Sequence, residues 1–132
     1  METSVMQNQE KITLLIVDDE IVSRSSLEAL LESDEYQLFF AENGAQGLEK
    51  AESIHPALVI LDVMMPGMNG FEVCRRLRAN PTLAQTPIMM ITAWDDPTAK
   101  QRCLDVGAND VICKPFNRAD LHARVQKLII TA

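Results

Sequence analysis

Positive charge, cysteine and imidazole are all scarce in this sequence. Lys and Arg number 12 against 19 Asp and Glu, for a net charge of −7. No basic stripe is present to meet phosphates, which excludes non-specific nucleic-acid binding by this domain alone. The same deficit excludes an anionic membrane surface as partner. No apolar run approaches membrane-spanning length, and the opening "METSVMQNQEK" is polar. No secretory signal is read there, so a cytoplasmic protein is expected. Cys74, Cys103 and Cys113 are scattered without a C-x-x-C, which predicts free thiols in small apolar roles. His55 and His122 each lack a second ligand at metal spacing. Neither G-x-G-x-x-G nor G-x-x-x-x-G-K-[ST] occurs, which removes the phosphate-cradling backbone of nucleotide and flavin sites. No Ser, Cys or His has a partner base at readable spacing, so acyl transfer has no support.

What remains is a chain of 132 residues, 47% apolar and 23% charged. That is one soluble domain, long enough to bury a core without disulfides. Residues 1–10 read as a flexible tail and 11–132 as the folded unit. Short apolar runs at 12–17, 36–41, 57–61, 87–92 and 110–113 have strand length. Their near-continuous hydrophobicity predicts strands covered on both faces, as in a parallel sheet. Helix-period segments lie between and after them. Leu27, Leu30 and Leu31 share one face; so do Phe71, Cys74 and Leu77; so do Leu121, Val125, Leu128 and Ile129. Asp96-Pro97 and Asn117 look like helix starts. The segment 44–53 has the poorest helix signal, because Gly44 and Gly47 disfavour it. Gly70-Phe71 reads as packing of the third helix on the sheet. Repeated β/α units imply an α/β fold with right-handed crossovers, helices on both faces, and ligands beyond the carboxyl ends of the strands.

Those strand ends carry the chemistry. The first run ends in Asp18-Asp19, the third in Asp62, the fourth in Thr92, and the fifth in Lys114. Two unit charges about 4 Å apart repel by roughly 4 kcal/mol at an effective dielectric near 20. Lys114 alone cannot balance three aspartates. A hard divalent cation can, and an all-oxygen set suits Mg²⁺ or Mn²⁺. Asp18-Asp19 taken alone could merely open a turn and a helix, where acids favour the dipole. The ordered set of strand-end residues does not reduce to that.

At these residues the sequence resembles the receiver domain of two-component response regulators. "LLIVDDE", "LDVMMPGMNGFEV", "PIMMITA", "GAND" and "CKPF" stand in that family's order and spacing, over residues 11–130. The resemblance implies a flavodoxin-like (βα)5 three-layer sandwich with a five-stranded parallel sheet of order 2-1-3-4-5. It implies that Asp62 accepts a phosphoryl group from the phosphohistidine of a sensor histidine kinase or phosphotransfer protein. Asp19, Asp62 and the backbone carbonyl of Met64 would hold the metal, with Asp18 acting mainly through water. Thr92 and Lys114 would each bind a phosphoryl oxygen, and the bond before Pro115 would be cis. The kinase would dock on the first helix, around Ile21 to Ser25. A homodimer would use the face built from the fourth helix, fifth strand and last helix. Such a domain signals, and catalyses only its own phosphotransfer and slow dephosphorylation.

Charge-assisted bonds to Thr92 and Lys114 are worth roughly 1.5–3 kcal/mol each. Two approach the roughly 5.5 kcal/mol that inverts a 1:99 equilibrium. They are therefore expected to move the segment at about 93–106. One departure from the family is Val111, three residues before Lys114, where an aromatic residue is usual; a rotating ring cannot be the switch here. Met64 and Trp94, each two residues past a site residue, are bulky and cannot act as bases, which predicts a shielded acyl phosphate. The competing functions differ in class. A haloacid-dehalogenase-like phosphatase needs D-x-D, whereas this chain has Asp62-Val63-Met64. A degenerate receiver serving only as a dimerisation module would have lost site residues that are intact here. No effector segment follows the fifth helix, so the chain is expected to be a stand-alone receiver or, by a slight margin, a piece of a longer protein.

Overall fold

Successive residues of a strand face opposite sides of a sheet, and in β1 (Ile12–Val17) both sides are covered. Leu14 and Ile16 enter one apolar cluster, while Leu15 and Val17 enter the other. That is why the run is continuously apolar: its inner positions have no solvent face. The computed structural model describes residues 11–131. The tail expected over residues 1–10 lies outside the described residues, as does Ala132.

β1 lies in a five-stranded parallel sheet with β2 (Tyr36–Ala41), β3 (Leu58–Asp62), β4 (Ile88–Thr92) and β5 (Asp110–Cys113). The order is β2-β1-β3-β4-β5, as expected. β3 and β4 each begin one residue later than the apolar runs at 57 and 87. α1 (Ile21–Leu31) and α5 (Arg118–Thr131) cover the face that holds Leu14, Ile60 and Ile91. α2 (Gly44–Ile54), α3 (Gly70–Ala79) and α4 (Pro97–Asp105) cover the face that holds Leu15, Leu61 and Met90. Three layers result, with helices on both sides of the sheet. Among the described residues, no helix is long and apolar enough to cross a membrane.

Local chemistry explains the helix starts. The side chains of Asn43, Asn69, Asp96 and Asn117 each accept a hydrogen bond from the backbone N–H three residues on. α1 differs, since Glu20 at its N-cap makes no side-chain cap bond. α2 forms despite its glycines because it packs closely on its neighbours. A Cβ on Gly47 would lie 2.9 Å from Val17 Cγ2, and one on Gly44 would lie 2.8 Å from Val73 Cγ2. The helix-propensity cost of about 1 kcal/mol per glycine is offset by that contact with β1 and α3.

Candidate functional site

β1 and β3 are adjacent in the sheet, with Val17 beside Leu61. The next residues, Asp18 and Asp62, therefore emerge together at the carboxyl edge. One carboxylate oxygen from each of Asp18, Asp19 and Asp62 lies within 4.8 Å of the others. Asp18 is 1% exposed and Asp62 is 7% exposed. Asp19 is half-buried. The main-chain N–H of Asp18 donates to the Ala41 carbonyl at 3.0 Å. Its Oδ1 accepts from the Glu20 N–H at 3.0 Å. Its Oδ2 is buried and has no hydrogen-bond partner. Asp62 Oδ1 accepts from the Met64 N–H at 3.4 Å, a long bond.

These surroundings push the Asp62 carboxyl up to about 6. Burial is the largest cause, and the neighbouring charge of Asp18 is next. Lys114 pulls the other way, as does the Met64 N–H, while Asp19 adds a smaller upward push. Lys114 thus counters the acids without cancelling them.

Thr92 and Lys114 arrive from the neighbouring strand ends. Thr92 is fully buried, and its Oγ1 accepts from the Trp94 N–H at 2.9 Å. The backbone N–H of Lys114 donates to the Thr92 carbonyl at 2.8 Å, and the Lys114–Pro115 peptide is cis. Met64 and Trp94 are 55% and 40% exposed. Val111 is buried. The cysteines Cys74, Cys103 and Cys113 are free thiols. The Gly70 N–H donates to the Val63 carbonyl at 2.9 Å, and a Cβ on Gly70 would overlap the Asp62 carbonyl oxygen. α3 therefore starts directly against the backbone of Asp62.

The sheet thus brings Asp18, Asp19 and Asp62 together, with Lys114 close enough to lower the Asp62 carboxyl. Arg24 is not among the residues that the sequence pattern singles out. Its Nη1 donates to the Asp18 carbonyl at 2.7 Å. Only the shortage of positive charge beside the Asp18-Asp19 pair could have pointed to it. The donor set fits a hard divalent cation: the atoms are oxygens, they are crowded, and a buried carboxylate oxygen lacks any other partner.

A family model of the response regulator receiver domain matches residues 14–126. Response regulator ArlR of Staphylococcus saprophyticus is 42% identical over 116 residues, which cover 88% of this chain and 51% of that protein. Chemotaxis protein CheY4 of Vibrio cholerae superposes with a TM-score of 0.84 at 34% identity, covering 90% of this chain and 99% of that one. The receiver domain of sensor histidine kinase PA1611 from Pseudomonas aeruginosa, solved with a magnesium ion coordinated in its active site cleft, gives a TM-score of 0.84 at 30% identity. That match covers 91% of this chain and 98% of the other. The chain spans about half the length of the first curated relatives it matches.

Proposed function

Because the chain belongs to the receiver domains of two-component response regulators, we propose that Asp62 is its phosphoacceptor and that residues 11–132 form the receiver unit. The observation that carries the reading is the cluster of Asp18, Asp19 and Asp62, with Asp18 Oδ2 buried and unpartnered. Asp19, Asp62 and the Met64 carbonyl would hold Mg²⁺, or Mn²⁺ in its place, with Asp18 acting through a bound water. When bound, the ion supplies the positive charge that lets two anions meet and orients the incoming phosphoryl group.

The chain's own residues do the rest. A carboxylate oxygen of Asp62 attacks phosphorus in line, and the bond from phosphorus to the donor's imidazole nitrogen breaks. Lys114 and the Thr92 hydroxyl bind the phosphoryl oxygens. Thr92 then turns from the Trp94 N–H to the phosphoryl group, which couples the site to α4. Val111 leaves no ring to rotate, so the loop at 93–96 carries the change.

The donor is a sensor histidine kinase or a phosphotransfer protein. Ile21 and Val22, 69% and 74% exposed beside the acidic cluster, form an apolar docking edge for it. The face of α4, β5 and α5 is the proposed homodimer surface. The domain works in the cytoplasm, without binding nucleic acid or membrane itself. Beyond accepting and slowly losing its phosphoryl group it catalyses nothing. Incubation with acetyl phosphate and Mg²⁺, followed by Phos-tag electrophoresis, tests this. A retarded band is expected for the wild type and none for Asp62→Ala; equal bands, or no band at all, refute it.

A further inference from the structure

At the end of β1 the Asp18 main chain leaves the sheet. Its N–H still donates to Ala41 of β2, but its carbonyl turns to the side chain of Arg24, with Nη1 donating at 2.7 Å. Arg24 lies in the first turn of α1, and its own N–H donates to the Glu20 carbonyl at 3.0 Å. It therefore grips the turn at 18–20 through both main chain and side chain. The remaining restraint within that turn is the bond from the Glu20 N–H to Asp18 Oδ1. No side-chain cap holds the start of α1, because Glu20 makes none. In the other helix starts a cap side chain does this work. At α1 the Asp18 carboxylate belongs to the acidic cluster, and the Arg24 guanidinium instead holds the preceding turn by donating to the Asp18 carbonyl.

We infer that Arg24 is a positioning residue of the cation site: by holding the Asp18 carbonyl it fixes the turn that presents the Asp18 and Asp19 carboxylates to Asp62. The inference rests on the reading of that cluster as a Mg²⁺ site. Guanidinium suits the task because it stays charged and offers a planar fork of donors. Lysine can give one N–H to the same carbonyl, without the fork. Alanine gives none and leaves the turn without its side-chain anchor, so both carboxylates can shift relative to Asp62. Removing a group that orients metal ligands typically costs about 10–100-fold in metal affinity.

Isothermal titration of the full chain with Mg²⁺ tests this for wild type, Arg24→Ala, Arg24→Met and Arg24→Lys. Arg75→Ala, a matched charge removal on the exposed side of α3, is the control. Thermal unfolding in EDTA checks that each variant is folded. Affinity is expected to fall about tenfold or more in Arg24→Ala, to recover partly in Arg24→Lys, and to be unchanged in Arg75→Ala. A folded Arg24→Ala that binds Mg²⁺ as tightly as wild type overturns the inference. Should Arg24→Ala not fold, wild-type affinity in Arg24→Met, which has no N–H to donate, overturns it instead. A wild type that takes up no Mg²⁺ sinks the cation-site reading itself, which separates the two failures.

Discussion

The guanidinium carbon of Arg102 on α4 lies 4.2 Å from the centroid of the Phe71 ring on α3. It is the first of three contacts along one stripe of α3. The Cys74 thiol donates to the Val106 carbonyl at 3.4 Å, and Arg78 Nε donates to the Gly107 carbonyl at 2.9 Å. Together they fasten the second half of α4 and its C-cap to α3. Residues 93–98, at the other end, are exposed. The free end of α4 is therefore the one that joins Thr92, where a phosphoryl group would act. Arg102→Ala should lower stability by about 0.5–1 kcal/mol, the worth of a partly exposed cation–π contact. Urea unfolding measures it, and an unchanged midpoint would show that the ring contact contributes nothing.

Two glycines near the site should respond differently to alanine. At Gly70 the added methyl meets the Asp62 carbonyl oxygen and lies 2.9 Å from Val63 Cα, both backbone atoms that cannot step aside. Gly67 has open space around it but a φ of +76°. Gly70→Ala is expected to cost roughly 3 kcal/mol, at the upper end of overpacking. Gly67→Ala should cost about 1 kcal/mol, the price of a left-handed L-residue. Denaturant midpoints of the two variants give the ranking; Gly67→Ala proving the worse would contradict the packing of α3 on Asp62.

Strand ends were readable because a strand covered on both faces keeps its polar and charged side chains to its ends, so Asp18, Asp62, Thr92 and Lys114 mark the edge by themselves. α2 was harder. Propensity penalises Gly44 and Gly47, whereas their reason lies in Val73 and Val17, far away in sequence. Arg24 and Arg78 were invisible for another reason. Their partners are mostly backbone carbonyls: that of Asp18 for Arg24, and those of Ala84, Thr86 and Gly107 for Arg78. A sequence does not display where its carbonyls point, so each arginine looks like an ordinary solvated charge.

Asp62 should destabilise the metal-free fold. Its carboxyl is pushed from 3.8 up to about 6, so the folded state holds the proton more tightly than the unfolded one. Its contribution to stability is then most favourable below about pH 4, falls as pH rises towards 6, and stays low above it. The gap of about 2 pH units sets an upper limit of about 3 kcal/mol, because the shift is shared with the neighbouring Asp18 charge. In EDTA at pH 7.5, Asp62→Asn is expected to be more stable than wild type by up to that amount, with the gain fading as pH falls to 4. Urea unfolding across that range checks it; a gain that grows on acidification would reverse the sign.

Trp94 should slow the loss of the phosphoryl group. Hydrolysis of an acyl phosphate needs a water in line with phosphorus, and the exposed side chains two residues past Asp62 and Thr92 are Met64 and Trp94, neither able to hold or deprotonate one. The Trp94 N–H bond to Thr92 Oγ1 ties that residue to the site. A carboxylate at position 94 both removes the apolar ring and can orient a water. Positioned bases contribute roughly 10²–10⁴-fold. A side chain on an exposed loop, unsupported by packing, should reach less, so Trp94→Glu is expected to speed dephosphorylation by roughly tenfold. Trp94→Phe keeps an apolar ring there and should leave the rate near that of wild type. Decay of the phosphorylated band after removal of acetyl phosphate gives all three rates. Equal decay in wild type and Trp94→Glu would mean that the ring shields nothing and that its exposure serves a partner instead.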